Sequence, residues 1–180
     1  MMAPSLESDR LIYKPLSLEH LSQDYVDWMN DPDVNKYIES GGDYTLEKLR
    51  DFLEEVEERD ILFWAIHIKS TGQHIGNIKI DPVIERHGLA EYGIMMGRKS
   101  EWGKGYAGEA TRRIIDYCFS DIDIRKITLG VVTDNEAAYG LYKKMGFITE
   151  GIYKHHTLHD DKYRDVARMA IFNPKFEYDH

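Results

Sequence analysis

Three glycines, Gly103, Gly105 and Gly108, fall within the run Trp102-Gly103-Lys104-Gly105-Tyr106-Ala107-Gly108-Glu109-Ala110-Thr111, which passes straight into helix-forming sequence. Without a Cβ, a glycine lets backbone N–H groups come close to an anion. The start of a helix adds N–H groups that its own carbonyls leave unpaired, together with the positive end of its dipole. A phosphate or pyrophosphate is the natural ligand of such a place, so the run points to a phosphorylated cofactor. The glycines also spell G-x-G-x-x-G. As a dinucleotide fingerprint, that spacing needs its first glycine at the end of a strand and an acidic residue about 20 positions on. Here the strand-like residues 90–96 stop well before Gly103, the polar Arg98-Lys99-Ser100-Glu101 intervenes, and Thr128 stands at the acidic position. The context disfavours a dinucleotide.

A second segment, Asn135-Glu136-Ala137-Ala138-Tyr139-Gly140-Leu141-Tyr142-Lys143-Lys144-Met145-Gly146-Phe147, follows the next strand-like run. The two together carry a resemblance. Trp102 to Ala107 is similar to the acetyl-CoA pyrophosphate loop, Gln/Arg-x-x-Gly-x-Gly/Ala, of the GNAT superfamily of N-acetyltransferases, with Trp102 where Gln or Arg is usual. The second segment resembles the superfamily's Asn-x-x-Ala-x-x-x-Tyr-x-x-x-Gly-Phe. The Trp-Gly-x-Gly-Tyr-Ala form looks like the branch of the ribosomal-protein N-terminal acetyltransferases. The resemblance runs from Arg10 to Phe172 and is generic before Leu62.

It implies acetyl-CoA as co-substrate, with the cofactor along Met95, Met96 and Gly97, over Trp102, Gly103, Lys104, Gly105, Tyr106, Ala107 and Gly108, and beside Asn135, Ala138 and Tyr142. Acetyl transfer to an amine needs a held thioester, a neutral amine, a stabilised oxyanion and a proton for the leaving thiolate. A backbone N–H of the strand ending at Gly97 is expected to face the thioester oxygen, an oxyanion device. Tyr142 sits where the superfamily has its general acid. A phenol titrating near about 10 is protonated at neutral pH and can donate to a thiolate of pKa about 8.5; the plainer account is a core aromatic. Glu91 is the candidate base, or the positioner of a water that deprotonates the amine, because a carboxylate inside a strand needs a partner or a purpose. A salt-bridged or solvent-facing Glu91 is the alternative. Asn135 has an amide suited to the pantetheine and is equally a helix N-cap.

The acceptor is less marked. Trp28, Asn30, His87 and Tyr163 are candidate contacts from regions that line the acceptor pocket in relatives, although the core reading of Trp28 is the stronger one. Three acceptor classes stay open: a protein N-terminus, a small amine such as a polyamine or aminoglycoside, and a nucleotide-linked amino sugar. The last would need cations such as Lys36, Lys79, Arg86 or Arg164. A non-catalytic acyl-CoA-binding module is the alternative from another class; retention of both the loop and Tyr142 argues against it. His155, His156 and His159 have no cysteine or motif to frame a metal site, so no metal is expected. Cys118 lies in an apolar helical pattern and reads as a small buried hydrophobe.

The 180 residues, 42% hydrophobic, suit one domain spanning 1–180. A net charge of −9 argues against nucleic acid. There is no apolar run of membrane-spanning length and no signal peptide at Met1, so a cytoplasmic enzyme, free or as a homodimer, is expected. The pattern predicts a strand at 11–16, a helix capped by Ser17 and running to Trp28, a break at Asn30-Asp31-Pro32, a short helical piece over 33–38, a loop at Gly41-Gly42 and a helix capped by Thr45. That helix carries Glu54, Glu55, Glu57 and Glu58 on its polar face, a solvated surface or a guide for a cationic acceptor. Strands are expected at 62–68, 74–80, 90–96, 126–132, 147–154 and 165–172, with helices after the glycine loop and over 136–145. The fold class is α/β (α+β): a central, mixed, mostly antiparallel twisted sheet with helices on both faces and, by the resemblance, splayed strands holding the cofactor.

Overall fold

The computed structural model describes residues 1–38 and 42–178. Its strands are β1 (Leu6–Glu7), β2 (Leu11–Pro15), β3 (Leu62–Ile68), β4 (His74–Ile84), β5 (Leu89–Met96), β6 (Lys126–Val132), β7 (Ile148–His159) and β8 (Lys162–Phe172). Its helices are α1 (Gln23–Asn30), α2 (Pro32–Asn35), α3 (Leu46–Glu58), α4 (Tyr106–Ser120) and α5 (Glu136–Lys144). The strands follow the order β1-β2-β3-β4-β5-β6-β8-β7 in a mixed sheet, antiparallel at β1–β2, β2–β3, β3–β4, β6–β8 and β7–β8 and parallel at β5–β6. The mixed α/β architecture expected from the sequence is therefore present.

The chain forms two compact units: Met1–Asp81 with Gly93–Arg113, and Pro82–Tyr92 with Ile114–His180. In the first, β2 and β3 alternate around Leu11, Tyr13, Trp64 and Ile66, all fully buried. A cluster of Leu16, Tyr25, Val26, Trp28, Met29, Leu49, Leu53 and Val56 joins α1 and α3 to it. Those residues recur at helical spacing, so each helix turns one apolar stripe inward. In the second unit, Ile127, Leu129, Ala167, Met169 and Ala170 are buried along the β6–β8 ladder. The β5–β6 ladder pairs Leu89–Glu91 with Lys126–Thr128, and both strands continue past its last pair.

Several expectations need correction. Ser17 does not start a helix running to Trp28; it precedes a single 3-10 turn, Leu18–His20, closed by an extended Leu21. Ser22 caps α1 instead, its Oγ accepting from the Tyr25 N–H at 3.1 Å. The piece expected over 33–38 is α2, begun one residue earlier because Asp31 Oδ1 takes the Asp33 N–H at 2.9 Å and Pro32 occupies a first-turn position where no N–H is needed. Strand β4 runs four residues beyond its expected end, and β7 and β8 meet in a tighter hairpin. Asp160 and Asp161 both adopt left-handed backbone there (φ 50° and 57°), the pairing that matches strand twist in a two-residue turn. Gly41 lies outside the described residues.

Candidate active site

The glycine loop belongs to the first unit. A 3-10 turn, Lys99–Glu101, leads into it, and Gly103 and Gly105 have φ of 75° and 81°, left-handed values that side chains rarely adopt. A Cβ at Gly103 would meet nothing within 4 Å, so its main chain lies open. Helix α4 begins at Tyr106, directly after the second left-handed glycine. The backbone conformation and the open main chain fit a pyrophosphate. The Lys104 ammonium is paired with Glu101 at 2.7 Å.

The end of β5 is tied to the same unit. Gly97 N–H donates to the Ile75 carbonyl at 2.9 Å. It is thus committed, and Gly97 is not the strand's oxyanion donor. N–H and C=O of one strand residue face the same edge, and successive residues alternate. Met96 therefore faces away from Ile75, and Trp102 Nε1 donates to its carbonyl at 2.9 Å. Met95 packs against the hydrophobic cluster. A Cβ at Gly97 would overlap the Trp28 indole, and one at Gly76 would overlap the Met95 carbonyl. Two glycines thus let a tryptophan and a neighbouring strand lie against this main chain.

In the second unit Tyr142 sits on α5, 7% exposed. Its ring lies 5.7 Å from that of Tyr92 at 84° and 5.6 Å from Phe147. Burial raises its phenol above the ordinary value, and a hydrogen bond with Tyr92 offsets part of that. The group is protonated at neutral pH. Asn135 caps α5, its Oδ1 accepting from the Ala138 N–H at 3.2 Å.

Glu91 is saturated. Arg168 donates to both oxygens, Nη1 to Oε1 at 2.9 Å and Nη2 to Oε2 at 2.7 Å, and Thr128 Oγ1 donates to Oε2 at 2.5 Å. A Cβ at Gly130, the residue paired with Arg168 across the β6–β8 ladder, would stand 2.9 Å from Nη1. Glycine there leaves room for the guanidinium. Of the two accounts of Glu91 the sequence allowed, the ion-paired one describes its surroundings.

The profile of the acetyltransferase (GNAT) domain family matches residues 10–148. The chain belongs to that family. An N-acetyltransferase of Bacillus subtilis, YoaA, is 28% identical over 97% of this chain and 99% of its own. The spermidine N(1)-acetyltransferase of Escherichia coli is 30% identical over 63% of this chain and 60% of its own. The spermidine N-acetyltransferase of Vibrio cholerae, solved with CoA and spermine, superposes with a TM-score of 0.84 at 23% identity, over 93% of this chain and 98% of that one. This GNAT protein is an enzyme, an N-acetyltransferase, and its acceptor is an amine.

The expected acceptor contacts divide. Trp28 is 7% exposed and packs on Gly97, Tyr25 and His74, so its surroundings are those of a core residue. Asn30 uses both ends of its amide on Tyr44, donating to the carbonyl at 3.0 Å and accepting the N–H at 2.8 Å. It lines a shallow concavity with Gly42, Asp43, Tyr44 and Thr45. His87 ends a 3-10 turn, exposed, and Tyr163, the second residue of β8, is 67% exposed. Glu54, Glu55, Glu57 and Glu58 face solvent, Glu57 accepting from the Leu18 N–H at 2.8 Å and Glu55 lying 3.8 Å from Arg59. Among the described residues, no cluster of three or more His, Cys, Asp or Glu could hold a metal ion. No described helix is long and apolar enough to cross a membrane. Cys118 is buried, its thiol pushed up to about 12.

Sequence reasoning missed Arg168, Arg10 and Glu109, and a set of three packed histidines. Each joins residues far apart in the chain. Arg168 does have one local signal, the period of β8, which puts it on the opposite face from the buried Ala167 and Met169.

Proposed function

We propose that the enzyme transfers acetyl from acetyl-CoA to a small primary amine of the polyamine class, by direct attack with both substrates bound. The left-handed glycines before α4 carry the donor half of this reading. The family profile crosses both compact units, which supports treating residues 1–180 as one catalytic domain. Residues 102–108 hold the pyrophosphate on main-chain N–H groups at a helix start. The family resemblance assigns Met95, Met96 and Gly97, and likewise Asn135 and Ala138, to the pantetheine. Acetyl-CoA supplies an activated thioester. The Met96 N–H, on the strand edge that faces away from Ile75 and beside the carbonyl that Trp102 takes, is the donor suited to the thioester oxygen. Tyr142 holds a proton at its phenol for the thiolate. Glu91, bound by Arg168 and Thr128, organises β5 and β6; solvent takes the amine proton.

The acceptor rests on the spermidine acetyltransferases among the relatives and on the net charge of −9. A nucleotide-linked sugar is less well served, because Arg164, one of the cations it would use, is paired with Asp134 at 2.5 Å. A panel of spermidine, an aminoglycoside, a peptide with a free N-terminus and an amino-sugar nucleotide, read by free-thiol release, decides between them. Spermidine should turn over fastest; a faster peptide would overturn the polyamine assignment. Tyr142→Phe should lower kcat by about 10²-fold or more with little change in acetyl-CoA affinity. An unaltered kcat, with chemistry rate-limiting, would remove Tyr142 from the mechanism.

A further inference from the structure

Arg10 sits at the foot of the glycine loop although it is more than ninety residues away in sequence. Its Nη1 donates to the Lys104 carbonyl at 2.8 Å, inside the loop itself. Its Nε donates to Glu109 Oε2 at 2.7 Å, and its own backbone N–H donates to Oε1 at 2.7 Å. The guanidinium carbon stands 4.4 Å from the centre of the Tyr106 ring. A Cβ at Gly105 would come within 3.5 Å of Nη2. One side chain thus touches four consecutive parts of the loop and helix start: Lys104, Gly105, Tyr106 and Glu109.

Glu109 explains why a cation is needed. It lies in the first turn of α4, where a carboxylate is ordinarily favourable. In this place the same helix end has to receive an anion, and an uncompensated carboxylate beside it would repel the ligand. Burial pushes the Glu109 carboxyl up, but hydrogen bonds from Arg10 N–H, the Ser8 hydroxyl (2.7 Å) and the Arg10 guanidinium outweigh it and hold the group charged. Arg10 both cancels that charge and turns the carboxylate toward β2. The segment that carries Arg10 is itself anchored. Arg10 C=O accepts from Lys69 N–H at 2.9 Å, and Ser8 N–H donates to the Leu11 carbonyl at 3.0 Å.

We infer that Arg10 is a positioning residue for the phosphorylated end of acetyl-CoA: it fixes the loop through the Lys104 carbonyl and neutralises Glu109 so that the helix end stays electropositive. This rests on the reading of residues 102–108 as the pyrophosphate loop. Acetyl-CoA is titrated calorimetrically into the full chain, its Arg10→Ala, Arg10→Lys and Arg10→Ala/Glu109→Gln variants, with thermal melts of each. Arg10→Ala should weaken acetyl-CoA by about tenfold or more, the scale of lost charge-assisted hydrogen bonds. The KM for acetyl-CoA should rise far more than kcat falls, and the KM for the amine should hold. The double variant should recover part of the loss, since it removes the stranded carboxylate; a merely structural latch would show no recovery. Arg10→Lys keeps the charge but not the fork, and should fall between wild type and Arg10→Ala. It supplies the reading if the alanine variant does not fold. Affinities of Arg10→Ala and Arg10→Lys within twofold of a wild type that does bind would overturn the inference. A wild type that binds no acetyl-CoA would overturn the loop assignment itself.

Discussion

Two polar clusters within the fold solve burial in opposite ways. In the first unit His20, at the end of the 3-10 turn, meets His67 on β3 and His74 on β4, with ring centres 5.1–5.3 Å apart. The hydrogen bonds account for every ring proton with all three rings neutral. His67 Nδ1 can only donate to the Gly72 carbonyl (3.0 Å), so its Nε2 accepts from His20 Nε2–H (3.1 Å), and His20 Nδ1 accepts from Ser17 N–H (3.1 Å). His74 Nε2–H donates to Asn77 Oδ1 at 2.8 Å and to the Gly76 carbonyl. In the second unit Glu91 and Arg168 form an ion pair, and the neutral Thr128 hydroxyl donates to the same carboxylate. The first cluster discards charge to remain buried; the second retains it by matching. A fold that uses both is sensitive to acid in one place and to substitution in the other.

The largest consequence is a loss of stability in weak acid. Burial lowers His74 to about 4; burial also lowers His67, and burial followed by the neighbouring His67 lowers His20. The charges that face the cluster, Lys14 and Glu19, act in opposite directions and are secondary. Between pH 6.5 and about 4 the unfolded chain binds the proton and the folded chain does not, so stability falls as pH falls through that window. For His74 alone the loss approaches about 3 kcal/mol. Urea midpoints measured from pH 7 to pH 4.5 should decline steadily, and His74→Leu should flatten the curve. A flat wild-type profile would mean that the rings charge freely in the fold.

The contrast also shows what the sequence could reveal. The glycine loop, the strand periods and α5 were legible because each is local: left-handed glycines before a helix, alternation, an Asn cap. His20, His67 and His74 were not, because the ladder that sets His67 opposite His74 is fixed only when β3 pairs with β4. The partner of Glu91 was hidden for the same reason; Arg168 reaches it across β6, seventy-seven residues on. Local chemistry suggested that Glu91 needed a partner or a purpose, and only the sheet order supplied the partner.

A smaller effect is expected on the charged side. Arg168→Ala leaves Glu91 with the Thr128 hydroxyl alone. Both side chains are partly exposed, 28% and 31%, so water would share the freed charge. The cost should be about 1–2 kcal/mol, between an exposed and a fully buried pair. Arg168→Lys should not restore it fully, since an ammonium cannot present the fork that meets both oxygens. A denaturation midpoint unchanged in both variants would show the pair to be a surface contact.

The smallest effect expected is the one that separates the two clusters most sharply in function. If Glu91 removed the amine proton, Glu91→Gln would lower kcat by about 10²–10⁴-fold, the range of general base catalysis. The structure argues for much less. A carboxylate held by two guanidinium bonds and a hydroxyl bond is committed to its neighbours rather than turned toward an incoming amine. Glutamine keeps the shape of the side chain and one acceptor for Arg168 or Thr128, so β5 and β6 should stay in register. Glu91→Gln should therefore cost less than about tenfold in kcat, with the alkaline rise of the rate profile left where it is, because the proton goes to solvent. Loss of that pH dependence together with a drop of two orders or more would return Glu91 to the role of base. It would also mean that Arg168 releases the carboxylate when the amine binds.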